Sequence, residues 1–171
     1  MKKLNISVIG LGFVGLPTAC ILANSKNKYN KKNFKVIGID KNIDKVKHKI
    51  KNIYKNKKIS SDPKLNSLIK KVTKNNNLKL SNSLDSLVES NIVLVSVGFD
   101  FANGTKKKKF KDLANLFSQI SFFIKKKTLV IIETTLPPGS CDNIIKPAME
   151  KELKKRNIDF HKDIFLGFSF E

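Results

Sequence analysis

An apolar run, Leu4-Asn5-Ile6-Ser7-Val8-Ile9, ends directly in Gly10-Leu11-Gly12-Phe13-Val14-Gly15, and a helix-like pattern follows. A strand, a Gly-x-Gly-x-x-Gly turn and a helix in that order make the layout of a dinucleotide site. Gly10 allows the tight turn out of the strand. Gly12 lacks a Cβ, so a pyrophosphate can approach the backbone. Gly15 lets the helix pack closely on the sheet. The helix N-terminus then offers free N–H groups and a partial positive charge to phosphates. The spacing alone is weakly specific, so the rest of the chain has to support it.

The support comes from alternation. Phe13 to about Ser25 carries Val14, Ala19, Leu22 and Ala23 at helical spacing, with Pro17 in the first turn, where a missing N–H costs little. Asn24 to Asn33 is a lysine-rich surface loop. Lys35 to Ile39 is a β-branched run ended by Asp40. Ile43, Val46 and Ile50 mark a helix, and Tyr54 to Asp62 is a polar linker. Pro63 to Lys74 is a further helix with Asp62 at the N-cap. Leu78 to Leu80 is a short strand. Asn82 or Ser83 caps a small helix through Leu87 and Val88. Ile92 to Val97 is the most apolar run, as in a parallel strand buried on both faces. Gly98 to Lys109 is expected as a loop with a basic tip at Lys106 to Lys109.

Phe110, Leu113, Leu116, Phe117 and Ile120 then recur helically, and Lys125 to Lys127 suit the C-terminus of that helix. Thr128 to Ile132 is a strand that runs into Glu133-Thr134-Thr135-Leu136-Pro137-Pro138-Gly139. A helix from Gly139 or Ser140 to about Arg156 and a last strand, Ile164 to Gly167, complete the series. Strands alternating with helices specify an α/β fold: a Rossmann-type, doubly wound parallel sheet with helices on both faces. Ligands of such sheets bind beyond the carboxyl ends of the strands. Asp40, at the end of the second strand, is placed to accept hydrogen bonds from the adenine-ribose hydroxyls and to disfavour a 2′-phosphate, while it also caps the next helix.

Composition narrows the function classes. At 171 residues the chain forms one domain, large enough to bury roughly 70% of its unfolded surface. The net charge is +20, which invites a nucleic-acid reading. Yet Arg156 is the sole arginine among 34 basic side chains, and base readout leans on bidentate arginine. The lysines are spread along the chain among asparagines, so no specific nucleic-acid partner is expected. Cys20 and Cys141 form no disulfide framework, and no zinc spacing is present, so no metal is expected and a reducing cytoplasm is. Lys2-Lys3 before an apolar stretch resembles an export signal, but the glycines interrupt that stretch. No apolar run approaches the ~20 residues of a membrane span.

Four segments carry a family resemblance. Ile9 to Pro17, Val36 to Asp40, Glu133 to Gly139 and Phe168 to Glu171 resemble, in order and spacing, motifs of the UDP-glucose/GDP-mannose dehydrogenase family. The third resembles that family's Glu-Ser-Thr-Val-Pro-Pro-Gly segment and the fourth the start of its Ser-Pro-Glu-Arg segment. The resemblance implies NAD as cofactor, with contacts from Gly10, Gly12, Phe13, Val14, Gly15, Asp40, Val97, Gly98 and Thr135. It implies oxidation of a UDP-sugar C6 alcohol to the uronate in successive NAD-dependent steps, for polysaccharide biosynthesis. Thr135 would help hold the catalytic water, and Glu171 would be the carboxylate acting on it.

Val97-Gly98-Phe99-Asp100 departs from the family's Val-Pro-Thr-Pro, Ser81-Asn82-Ser83 from its Thr-Thr-Asp, and Phe170 stands in place of its proline. The resemblance covers the whole chain as the N-terminal, NAD-binding domain. It implies that the nucleophilic cysteine, a central dimerisation helix and the nucleotide-sugar domain lie outside these residues, so the chain is expected to be inactive alone and to dimerise only with that helix. Cys141 has no general base near it in sequence and is not expected to be the nucleophile. Cys20 is expected to be buried, and His48 and His161 to be surface residues. Two other readings stay open on the residues: the NAD domain of a β-hydroxyacid or 6-phosphogluconate-type dehydrogenase, and a non-catalytic NAD-binding module.

Overall fold

The computed structural model describes residues 3–26, 29, 33–54, 62–99 and 105–169. Strands β1 (Leu4–Ile9), β2 (Phe34–Ile39), β3 (Leu78–Ser81), β4 (Ile92–Val95), β5 (Thr128–Ile132) and β6 (Ile164–Phe168) form one sheet in the order β3-β2-β1-β4-β5-β6. Every pairing is parallel. Parallel neighbours need crossovers, and helices supply them: α1 (Gly15–Asn24), α2 (Ile43–Tyr54), α3 (Pro63–Lys74), α4 (Lys106–Phe123), α5 (Lys146–Lys154) and the short α6 (Phe160–Asp163). The chain runs outward from β1 to the β3 edge. It then returns to the middle, where β4 pairs with β1, and runs outward again to β6.

Burial shows why the strands read as continuous apolar runs. On one face α1, α2 and α3 pack on Ile6, Val8, Val36, Leu78 and Leu94. On the other, α4 and α5 pack on Ile9, Ile39, Val93, Val95, Val130 and Ile132. Successive β4 residues therefore alternate between two cores, and both sides must be apolar. The doubly wound architecture expected from the alternation is the one observed.

The strand expected to Val97 ends at Val95, and the small helix expected to start from Asn82 or Ser83 is a 3-10 turn, Asp85–Glu89, with Leu84 at its N-cap; four further differences have a clear local reason. The helix expected from Phe13 begins at Gly15, so Phe13 and Val14 stay in the turn. Lys106 to Lys109 are not a loop tip but the first turn of α4, because Thr105 accepts a hydrogen bond from the Lys108 N–H at 3.3 Å and caps the helix there. The helix after Gly139 opens with a π-helical turn, Cys141–Ile145, in which the Lys146 N–H reaches the Cys141 carbonyl. Pro147 has no N–H to continue an ordinary ladder at that point. The unexpected α6 is started by Asp159, whose carboxylate accepts from the N–H groups of His161 and Lys162. The Asp62 cap with Pro63 behind it occurs as read, with Lys64 N–H donating to Asp62 at 2.8 Å. The polar linker at 55–61 lies outside the described residues.

The single arginine has a structural task. Arg156 Nη1 donates to the carbonyls of Ser121 (2.6 Å) and Ile124 (2.7 Å), which end α4. It satisfies orphan acceptors of the last turn and places a positive charge at the negative end of the helix. Replacing Arg156 with Ala is expected to cost about 1.5–3 kcal/mol, the range for hydrogen bonds to a charged group. Urea denaturation checks this as a lower midpoint at unchanged slope.

The two thiols differ. Cys20 lies on the buried face of α1, and burial pushes its pKa up to about 12. Cys141 is half-buried. A thiol-disulfide reagent added to the native protein is expected to modify Cys141 well before Cys20, and mapping of the modified peptide identifies which residue reacted first.

Candidate cofactor site

The site is built from one row of residues just past the strand ends. Ile39, Ile9, Val95 and Ile132 are register partners across β2, β1, β4 and β5. The next residue of each strand is Asp40, Gly10, Ser96 and Glu133. The ladder continues through them: Gly10 N–H donates to Ile39 O, Ser96 N–H to Ile9 O and Glu133 N–H to Val95 O, at 2.8, 2.8 and 2.9 Å. Ile39, Ile9, Val95 and Ile132 face the α4–α5 core, so by strand alternation this row faces α1.

The glycine turn brings α1 onto that row. Gly10 has φ +88°, and a Cβ there would lie 2.6 Å from the Ser96 carbonyl oxygen. A Cβ on Gly15 would lie 1.8 Å from the Gly10 oxygen and 3.2 Å from Ser96 Cβ. Only two bare α-carbons permit this approach. Gly12 is different: a Cβ there would meet nothing within 4 Å, so the space in front of it is open. Leu11, between them, is buried against Gly38 of β2. Phe13 is 99% exposed and Val14 36%. No side chain caps α1, whereas Asp62, Thr105 and Asp159 cap α3, α4 and α6. Leu16 N–H turns back to Gly12 O at 3.4 Å and Pro17 has no N–H, so the start of α1 offers a ligand its partial positive charge and the N–H groups of the turn before it.

Asp40 sits on one flank. Its Oδ2 accepts from Leu11 N–H at 2.8 Å and its Oδ1 from Asn42 N–H at 2.7 Å. The carboxylate therefore steadies both the glycine turn and the entry to α2. A carboxylate has about four acceptor positions, so capacity for two ligand hydroxyls remains. On the other flank, Ser96 Oγ donates to Glu133 Oε2 at 2.5 Å. Thr134 is buried and its hydroxyl donates to the Val97 carbonyl at 2.9 Å, which fixes the path of Val97. Gly98 is exposed, and a Cβ on it would meet nothing within 4 Å. Thr135 is exposed, and among the described residues its hydroxyl has no partner.

The structure thus brings Gly10, Gly12, Phe13, Val14, Gly15, Asp40, Val97, Gly98 and Thr135 to one end of the sheet. Glu171 and Asp100 lie outside the described residues. β6 does end at this rim, where Ser169 N–H donates to Ile132 O at 2.9 Å. Ser96 was missed as a site residue, and Glu133, inside the Glu133–Gly139 segment, was given no role of its own. Their signal was positional, one residue past β4 and β5, and it needs the register to be seen. Cys141 lies in the π turn, and its thiol pKa is raised by burial and by Asp142, with Lys146 opposing. That is the reverse of an activated nucleophile. His48 and His161 are exposed; His161 Nε2 lies 3.4 Å from Glu150 Oε1. Among the described residues no group of three His, Cys, Asp or Glu is placed to hold a metal ion, and no helix is long and apolar enough to cross a membrane.

These features fit a dinucleotide: open space over Gly12, an uncapped helix, and spare acceptor capacity on Asp40. The sequence model of the UDP-glucose/GDP-mannose dehydrogenase family, NAD binding domain, matches residues 4–166. A UDP-N-acetyl-D-mannosamine dehydrogenase of Methanococcus maripaludis is 32% identical over 147 residues, which are 85% of this chain and 32% of that protein. A UDP-glucose 6-dehydrogenase of Rickettsia conorii is 28% identical over 160 residues, 92% of this chain and 33% of that one. Among solved structures, an NDP-N-acetyl-D-galactosaminuronic acid dehydrogenase from Methanosarcina mazei Go1 superposes with a TM-score of 0.77 at 24% identity, covering 99% of this chain and 34% of that one. That likeness shows the fold. The chain spans about a third of the length of the curated relatives it matches. With the glycine turn, Asp40 and the Glu133–Gly139 segment all inside the matched span, this chain belongs to the UDP-glucose/GDP-mannose dehydrogenase family and is its NAD-binding domain.

Proposed function

We propose that this chain is the cofactor half of a nucleotide-sugar 6-dehydrogenase that oxidises a UDP-sugar at C6 to the uronate. The observation that carries the reading is the row past the strand ends, with the bare glycine turn at its centre and Asp40 beside it. The N–H groups of the glycine turn, Phe13 and Val14 among them, together with the positive end of the uncapped α1, would hold the pyrophosphate over Gly12. Asp40 would receive the adenosine-ribose hydroxyls, its negative charge disfavouring a 2′-phosphate. Val97 and Gly98 would line the path toward the nicotinamide half, where backbone with no Cβ leaves room. NAD supplies the hydride acceptor.

The remaining chemistry asks for a base or water-holding group near that end of the sheet. Thr135, exposed and with its hydroxyl unengaged among the described residues, would orient a water there. Glu171, outside the described residues, would be the carboxylate beside it by the family resemblance. The sugar-binding groups and the nucleophile would come from the other two thirds or so of the relatives' length, together with the helix through which protomers pair. UDP-N-acetyl-D-mannosamine dehydrogenase recurs among the relatives, which favours a UDP-linked sugar as substrate. Two free cysteines suit a cytoplasmic enzyme.

Two outcomes are expected. In calorimetric titration the chain binds NAD+ more tightly than NADP+. Asp40→Asn weakens NAD+ by about tenfold, the worth of a charged hydrogen bond, and narrows the gap to NADP+. Equal loss toward both cofactors would mean that Asp40 acts only by steadying the turn. Separately, these 171 residues alone are expected to give no NADH from UDP-glucose or UDP-N-acetyl-D-mannosamine, followed at 340 nm. Sustained turnover would overturn the assignment of the nucleophile to the remainder of the enzyme.

A further inference from the structure

We infer that Glu133 binds the hydroxyls of the cofactor's second ribose, the one bearing nicotinamide, as the counterpart of Asp40. This deepens the cofactor reading above and rests on it. The sheet order β3-β2-β1-β4-β5-β6 relates two halves, each running outward from the centre, so β5 stands in the second half where β2 stands in the first. Asp40 is the residue directly after β2, and Glu133 is the residue directly after β5. Their preceding residues occupy one continuous register row, Ile39–Ile9–Val95–Ile132. Each carboxylate also leans on the loop of its inner neighbour. Asp40 accepts from Leu11 N–H after β1, and Glu133 accepts from Ser96 Oγ after β4.

The start of α1 lies between them. The Gly15 α-carbon is seated against both Gly10 and Ser96, astride the β1–β4 midline. With strands about 4.8 Å apart, the backbone of each acidic residue stands one and a half spacings, about 7 Å, from that midline, and each side chain leans inward from there. A pyrophosphate held at the midline therefore has an acidic residue at either side, matching a molecule with a ribose at either end.

The side chain is free to take that part. Glu133 is half-buried, and among the described residues its Oε1 has no hydrogen-bond partner and neither oxygen is in an ion pair, in a chain of net charge +20. Anchoring Ser96 requires only one neutral acceptor. A carboxylate with a second, unengaged oxygen matches a vicinal diol, which has two donors to place.

The test is calorimetric titration of the chain with ADP, NAD+ and an NAD+ analogue lacking both hydroxyls of the nicotinamide ribose. Glu133→Gln keeps the size and the acceptor for Ser96, which Glu133→Ala would remove, and circular dichroism verifies that the fold is kept. Glu133→Gln is expected to weaken NAD+ about tenfold, as for loss of a charged hydrogen bond. It should leave ADP and the dideoxy analogue unchanged, whereas Asp40→Asn weakens all three. Equal weakening of ADP and NAD+ by Glu133→Gln would show an indirect effect through the glycine turn and overturn the inference. Unchanged NAD+ affinity would overturn it as well. Wild-type chain that binds ADP but discriminates neither dinucleotide would leave the cofactor reading standing and remove this one. Binding of none of the three would remove both.

Discussion

A Cβ on Gly15 would sit 1.8 Å from the Gly10 carbonyl oxygen, and one on Gly10 would sit 2.6 Å from that of Ser96. Contacts of that length with backbone atoms cannot be relieved by a rotamer change. The helix start can lie on the β1–β4 junction only while both positions are bare. Everything at the site inherits its place from that approach. It aims the positive end of the uncapped α1 over the sheet rim. It buries Leu11 beneath the turn, and it brings the Leu11 N–H within 2.8 Å of Asp40. Gly38 joins the same constraint from below, since a Cβ there would press on both Leu11 methyls at 2.9 Å. Those methyls are the far end of a side chain that can rotate, so Gly38 constrains the turn less strictly than Gly10 and Gly15 do.

The parallel register turns this local contact into an extended site. Because the ladder continues one residue beyond β1, β2, β4 and β5, the residues there are held by main-chain hydrogen bonds and not by loop packing. Residues so placed keep their spacing to within the stiffness of the sheet, which is the condition for pre-organised binding. The loops that follow are free to differ. Val97-Gly98-Phe99, within a stretch that departs from its family's pattern, follows the fixed row, and it is tied back by the Thr134 hydroxyl on the Val97 carbonyl and by the Phe99 ring against Phe110.

The architecture was legible in the sequence because both determinants are local: apolar runs long enough for a strand, and helical periodicity between them. Asp62 with Pro63 gave a helix start to the residue. Lys106 to Lys109 misled because four lysines have no periodicity, and the cap one residue earlier, Thr105, outweighs it. The π turn at Cys141 depends on a proline six residues downstream, a longer reach than a capping motif has. For the site, Gly10, Gly12, Gly15 and Asp40 are visible since their spacing belongs to one strand-turn-helix-strand unit. Ser96 and Glu133 are 37 residues apart and meet only when β4 and β5 pair. No single segment carries that information.

The high positive charge and the acidic row act on different scales. Lysines spread over exposed helix faces attract any polyanion, but that attraction is screened over about 8 Å at physiological ionic strength and does not tell one phosphate ester from another. Discrimination has to come from groups inside that distance. Asp40 and Glu133 are the acids of the row, and both lie on the rim where α1 presents its positive end. A phosphate is favoured between them, at the helix, and disfavoured on either flank, where a hydroxyl that can donate is favoured in its place. A lysine-rich surface therefore makes such flanking carboxylates more consequential. Without them, the same field would welcome a phosphorylated ribose as readily as a free one.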